Sequence, residues 1–336
     1  MFNRICARLL SGVVFCLSLS GCSSTPQTNA LSQLADPSIA RHMELSEVPF
    51  FPQQEYQCGP AALATILSYR DIDVSDKALA KQVYLPHRRG SLQIEMLAAA
   101  RSYGMLSYPL EADLKNILLE LNRGNPVLVF QNLSLAAWPQ WHYAVVVGYD
   151  LDQKHLILRS GEIKRHLVSM ATFERTWQRA KYWAYVIVKP GEIPVTADPA
   201  SYVLANHALE EIGFSSKALQ GYRSAVKRWP ENSIVLMALA NSEYAANHFQ
   251  AAERFYKREI ELRPENADAW NNLAYNFVAR KCVAQARQAV QCALKLNPDS
   301  ENIRQSFEEI SKLGLESAIA CQVPYCPQAN GLLPQR

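Results

Sequence analysis

Cys58 and His142 are the two residues whose type and setting could do covalent chemistry. Cys58 stands in Gln53-Gln54-Glu55-Tyr56-Gln57-Cys58-Gly59-Pro60-Ala61-Ala62-Leu63, where a polar turn gives way to an apolar run. Ala61, Ala62, Leu63, Ile66 and Leu67 recur at helical spacing, and Pro60 suits a first turn, where its missing N–H costs nothing. The cysteine is therefore expected near a helix N-terminus. Unpaired backbone N–H groups there favour a thiolate over a thiol and can hold a developing oxyanion. His142 opens Trp141-His142-Tyr143-Ala144-Val145-Val146-Val147-Gly148-Tyr149-Asp150, which reads as the start of a buried strand. A thiol nucleophile needs a base within hydrogen-bond reach, whatever the distance along the chain. Taken singly, each residue has an ordinary reading, a small buried hydrophobe and a core histidine. Taken together they read as nucleophile and general base.

The elements that would position this pair lie between about Leu45 and Pro194, a length suited to a single core. Helices are expected at 58–70, 75–82, 91–103 and 111–123, with Ser91 as a cap and Gly104 and Gly124 as stops. Strands are expected at 126–132, 142–149, 155–160 and 182–188, with Asp150–Lys154 turning a hairpin. Helices first and an antiparallel sheet second make an α+β domain. Arg88, Arg89 and Gly90 fall in a loop before the third helix and read as a solvated basic loop or a rim of the cleft.

The block Gln-x4-Cys-Gly-Pro-Ala-Ala-Leu, followed roughly 80 residues later by His-Tyr-Ala-Val-Val-Val-Gly-Tyr-Asp, resembles the C39 peptidases and their C39-like relatives. The resemblance implies a papain-like cysteine peptidase with Cys58 as nucleophile and His142 as base. It places the oxyanion-hole glutamine at Gln53, with Gln54 as the fallback. The family's third residue is an aspartate after the histidine strand, and here Ser160, in His155-Leu156-Ile157-Leu158-Arg159-Ser160-Gly161, holds roughly that place. Asn132, upstream of His142, could orient the ring instead, Ser160 could do so weakly, or no third residue exists. Asp150 ends the histidine strand and so stands roughly 26 Å away along it. No cofactor or metal is implied.

The N-terminus bears on location. Arg4 and Arg8 precede a short apolar run, Leu9 to Leu19, too short to cross a bilayer, so residues 1–21 read as a signal peptide. Leu19-Ser20-Gly21-Cys22 resembles a bacterial lipobox, which implies lipidation of Cys22 and a periplasm-facing place, with Ser23 favouring the outer membrane of a Gram-negative cell. Residues 22–43 are polar and read as a lipidated tether. Loss of residues 1–21 removes Arg4 and Arg8 and lowers the formal charge from +3 to +1, which leaves no overall polybasic argument for nucleic acid or anionic lipid.

A second domain shows itself by repetition. Pro230, Pro264 and Pro298 recur every 34 residues, the period of the tetratricopeptide repeat. Trp270, Leu273, Ala274, Phe277, Ala286, Val290, Ala293 and Pro298 match that pattern, and the two preceding units follow it, with Glu243 and Glu259 departing. Residues 199–315 are therefore expected as an all-α solenoid of three repeats with a capping helix, followed by a Cys-containing tail at 316–336. Such arrays often grip a protein partner. Cys282, Cys292, Cys321 and Cys326 are expected to pair, for instance Cys282 with Cys292 and Cys321 with Cys326, although three pairings are possible. Cys58 is left without a disulfide partner. The whole reads as a membrane-anchored cysteine peptidase with a protein-binding repeat domain. The alternatives are a peptide-binding adaptor with weak or lost turnover, and an acyl-transferase or amidase acting on envelope material.

Overall fold

The computed structural model describes residues 25–32, 36–53, 57–314 and 321–327. The signal segment, Cys22, Gln54 and most of the tail lie outside the described residues. The chain forms an α+β domain followed by a helical solenoid. No described helix is long and apolar enough to cross a membrane.

The first domain contains α1 (Pro26–Ser32), β1 (His42–Glu44), α2 (Cys58–Tyr69), α3 (Asp76–Val83), α4 (Gln93–Ser102), β2 (Leu106–Pro109), α5 (Leu114–Asn122), β3 (Val127–Asn132), β4 (Trp141–Asp150), β5 (His155–Ser160), β6 (Ile163–Ser169), α6 (Met170–Gln178) and β7 (Ala184–Val188). The strands make one antiparallel sheet in the order β2-β7-β3-β4-β5-β6. Strand β4 is its spine. Its first half pairs with β3 and its last three residues pair with β1. Apolar and polar residues do not alternate along it: Tyr143 to Tyr149 are all buried, because both faces are covered and neighbouring strands flank both edges. Gly148 permits the β1 contact, since a Cβ there would stand 2.4 Å from the Met43 carbonyl oxygen. Strands β1, β2 and β6 and helix α6 are additions to the elements expected from sequence; β1, β2 and β6 are short or exposed, without a clear period-two signal.

The expected tether is not one over its described length. Helix α1 packs on the domain, with the backbone N–H groups of Gln27 and Thr28 donating to Glu174 at 3.0 and 2.8 Å and the Thr28 hydroxyl at 2.6 Å. Leu31 and Ile39 enter the core, and β1 joins the sheet. Polar composition misled here because the segment's polar groups are satisfied by a buried carboxylate far along the chain rather than by water.

The solenoid comprises α7 (Pro199–Glu210), α8 (Ser215–Arg228), α9 (Ser233–Ala245), α10 (Phe249–Leu262), α11 (Ala267–Ala279), α12 (Val283–Leu296) and a final α13 (Glu301–Ser311). The two glutamates that break the repeat pattern are buried and fully engaged. Glu243 binds Arg223 and His248, each at 2.7 Å, and Glu259 accepts from Arg263 Nε and Asn266 Nδ2, each at 2.8 Å. The first repeat is not separate from the sheet domain. Tyr202, Leu209, Ala218 and Tyr222 belong to the same apolar core as Leu106 and Val186, and Tyr108 OH bonds Asp198, the N-cap of α7, at 3.1 Å.

The cysteine pairs are Cys282 with Cys321 and Cys292 with Cys326. The Cys282–Cys292 and Cys321–Cys326 pairing offered from sequence is thereby corrected. Cys282 caps α12 and Cys292 lies within it, ten residues or about 15 Å along one helix, beyond the reach of a disulfide. Both bridges instead clip the tail to the last repeat.

Candidate active site

Helix α2 begins at Cys58 itself, with Gln57 as an N-cap whose side chain makes no capping bond. Its residues from Gly59 to Leu67 are all buried, so the helix is a central element whose first turn is held rigidly. Gly59 is required for that fit, because a Cβ would come within 2.6 Å of Ser91 Oγ and 2.8 Å of Ser91 Cβ. Ser91 does not cap α4, as sequence implied; it packs under the start of α2, its carbonyl accepts from Tyr143 OH at 3.3 Å, and its hydroxyl is buried with no partner among the described residues.

Cys58 is a free, half-buried thiol. The backbone N–H groups of Tyr143, at the start of β4, and of Gly59 and Cys58 act on its sulfur. These dipoles favour the thiolate, but burial outweighs them and pushes the thiol above its ordinary range. The thiolate expected from the helix terminus is therefore not the resting form. His142 precedes Tyr143 and is held down to about 4, chiefly by burial and then by the charge of His166 on β6. The resting pair is a neutral thiol and a neutral imidazole.

Ser160, at the end of β5, meets the ring: its Oγ lies 2.8 Å from His142 Nε2. A hydroxyl accepting from Nε2–H leaves Nδ1 as the unprotonated nitrogen, the state a base needs. Asn132 makes its hydrogen bonds away from the imidazole. Its Oδ1 accepts from the N–H groups of Ser134 at 3.0 Å and Gln140 at 2.9 Å, and its Nδ2 reaches the Leu135 carbonyl at 3.4 Å, so it organises the β3–β4 connection. Asp150 is at the far end of β4, beside His42. The Gln53 backbone N–H donates to the Gly161 carbonyl at 3.1 Å, which ties the segment before the cysteine to the turn that follows Ser160. His166 was not singled out from sequence; a histidine in an unrecognised edge strand carries no signal until β6 is placed beside β5. The loop of Arg88 and Arg89 closes on itself through a Leu85–Gly90 bridge. The cluster of His42, Asp150 and Asp152 is largely exposed, and its Asp152 is already ion-paired to Arg41.

Residues 45–185 match the model of the Peptidase_C39 like family. Among solved structures, a C39-like peptidase from Bacillus anthracis aligns with 20% identity over 45% of this chain and 98% of its own, with a TM-score of 0.38. The helical region aligns with the first tetratricopeptide domain of Spaghetti bound to an HSP90 peptide, at 16% identity over 35% of this chain and 96% of that one (TM-score 0.32). It also aligns with the Sgt2 tetratricopeptide domain from Aspergillus fumigatus, at 18% identity over 34% and 77% (TM-score 0.32). No curated protein matches the chain.

Proposed function

We propose that the C39-like domain is a cysteine peptidase working through Cys58 and His142, with Ser160 in the place of the usual carboxylate. The observation that carries this reading is the convergence at the start of β4, where the Tyr143 backbone acts on the Cys58 thiol and the neighbouring His142 ring is held by Ser160 at 2.8 Å. As the sulfur attacks an amide carbonyl, His142 Nδ1 takes its proton while Ser160 Oγ accepts Nε2–H. The Cys58 N–H and the Gln53 side-chain amide hold the oxyanion. The imidazolium then protonates the departing amine, and water cleaves the thioester.

Around this site the chain is a lipoprotein anchored through Cys22, facing the periplasm from the outer membrane, with the repeats holding a protein partner. Peptide-library cleavage by the full chain tests the activity: products are expected from the parent and not from Cys58→Ala or His142→Ala. Products unchanged by Cys58→Ala, or cleavage of envelope fragments alone, would sink the peptidase assignment. One observation favours a second reading, a peptide-binding adaptor with weak turnover: among the described residues no carboxylate is bonded to His142, and both reacting groups rest neutral. Peptide capture without cleavage, from a chain whose Cys58 alkylates no faster than a free thiol, is that reading's outcome.

A further inference from the structure

The β3–β4 connection is an exposed apolar hairpin. Leu133, Leu135, Trp138 and Trp141 are 43, 65, 76 and 51% exposed, and no Asp, Glu, Lys or Arg occurs between Pro126 and Tyr149. Four large apolar side chains exposed within nine residues form a patch that soluble surfaces rarely leave uncovered. The hairpin is also preformed. Asn132 bonds both sides of its base, Leu135 and Trp138 bridge across its tip, and the Trp141 ring lies stacked on Phe130 at 5.2 Å.

Three features identify what covers it. Tryptophan with aliphatic neighbours and no charge suits a membrane interface, where the ring sits at headgroup depth. The flank is basic: Arg179 Nε donates to the Asn132 carbonyl at 3.1 Å, and Arg175 and Lys181 stand on the same α6 end. The one acidic residue between Ile163 and Gly191 is Glu174, buried under α1. That flank complements anionic headgroups. Finally, Cys22 precedes Pro26 by four residues, at most about 14 Å of chain. Helix α1 is fastened to Glu174, and Glu174 and Arg179 are five residues or about 7.5 Å apart on α6. Helix α1, which follows Cys22, and the hairpin are thus both tied to α6, at its middle and at its C-terminal end.

We propose that this hairpin docks on the bilayer surface and so holds the mouth of the His142 site at the membrane. The inference rests on the anchored reading above. Trp141 adjoins His142, so docking directs the site towards substrates presented at the lipid surface rather than in bulk solvent.

The test reconstitutes the full chain in phosphatidylethanolamine and phosphatidylglycerol vesicles carrying brominated acyl chains, and reads tryptophan quenching. The parent is expected to be quenched, and Trp138→Phe to lose at least half of that quenching. Leu135→Glu should lower it at least twofold with an unchanged melting temperature. The mass of the N-terminal fragment reports acylation of Cys22, and alkylation of Cys58 reports the catalytic site. An acylated chain that floats with the vesicles without quenching from Trp138 overturns this inference and leaves the anchor standing. A chain that neither floats nor is quenched overturns both. Protection of Trp138 that depends on protein concentration, or on added peptide, assigns the hairpin to a second copy or to a substrate and likewise overturns it.

Discussion

Replacing Ser160 with aspartate probes whether the neutral pair is the resting state. In the parent, His142 is held at about 4 and Cys58 lies above its ordinary 9, so moving the proton from sulfur to imidazole spans more than five pH units. That is on the order of 7 kcal/mol, and the thiolate–imidazolium form should be scarce at neutral pH. A carboxylate in the place of Ser160 Oγ, 2.8 Å from Nε2, adds an opposite charge, which typically raises a partner's pKa by about 1–3. The imidazolium gains about 1.4–4 kcal/mol, and the ion pair becomes roughly ten to a thousand times more populated. Iodoacetamide alkylation of Cys58 against pH reads the resting state of the pair. The parent rate should climb about tenfold per pH unit through neutrality, because the alkylating species is a thiolate whose formation is opposed by burial. Ser160→Asp should lift the His142 titration, followed by NMR of the imidazole, by about 1–3 pH units, while the directly ionised thiol keeps the neutral-pH alkylation rate within about twofold of the parent. A parent that already shows a flat region between pH 5 and 8 would refute the reasoning, since it would mean the ion pair is formed at rest. An Asp variant that folds with an unmoved His142 titration would refute it equally.

Gly59→Ala should destabilise the domain by about 1–3 kcal/mol in urea denaturation, because its Cβ meets Ser91 at 2.6 Å, and Ser91→Gly should recover most of that loss. Asn132→Ala should loosen the β3–β4 hairpin, seen as faster proteolysis there, while leaving Cys58 alkylation within twofold of the parent; a larger fall would restore Asn132 as the residue that orients the ring. Breaking the Cys282–Cys321 bridge, which closes 39 residues, should cost about 4 kcal/mol by loop entropy, read as a lower melting temperature of the Cys282→Ser/Cys321→Ser variant.

What could be read in the sequence was local. The apolar period after Cys58, the β-branched run after His142 and the 34-residue spacing of prolines each lie within one element or one repeat, and each recovered its structure. What could not be read depended on partners far along the chain. Helix α1 looks like solvated polar chain until Glu174, 146 residues away from Thr28, receives its N–H groups. The choice between Asn132 and Ser160 turned on which way each side chain faces across two strands, and only the β4–β5 pairing brings Ser160 to the ring. Helical spacing alone excludes a Cys282–Cys292 bridge, since two cysteines ten residues apart in one helical segment stand too far apart to join.

The common core of the sheet domain and the first repeat makes the solenoid a fixed outrigger instead of a swinging arm. On the proposed function, a partner gripped on such an array would be delivered at a set distance and bearing from Cys58. Selectivity could then be written in the spacing between a gripped segment and the bond to be cut, so that lengthening that spacing by a few residues would matter as much as changing the residues at the bond.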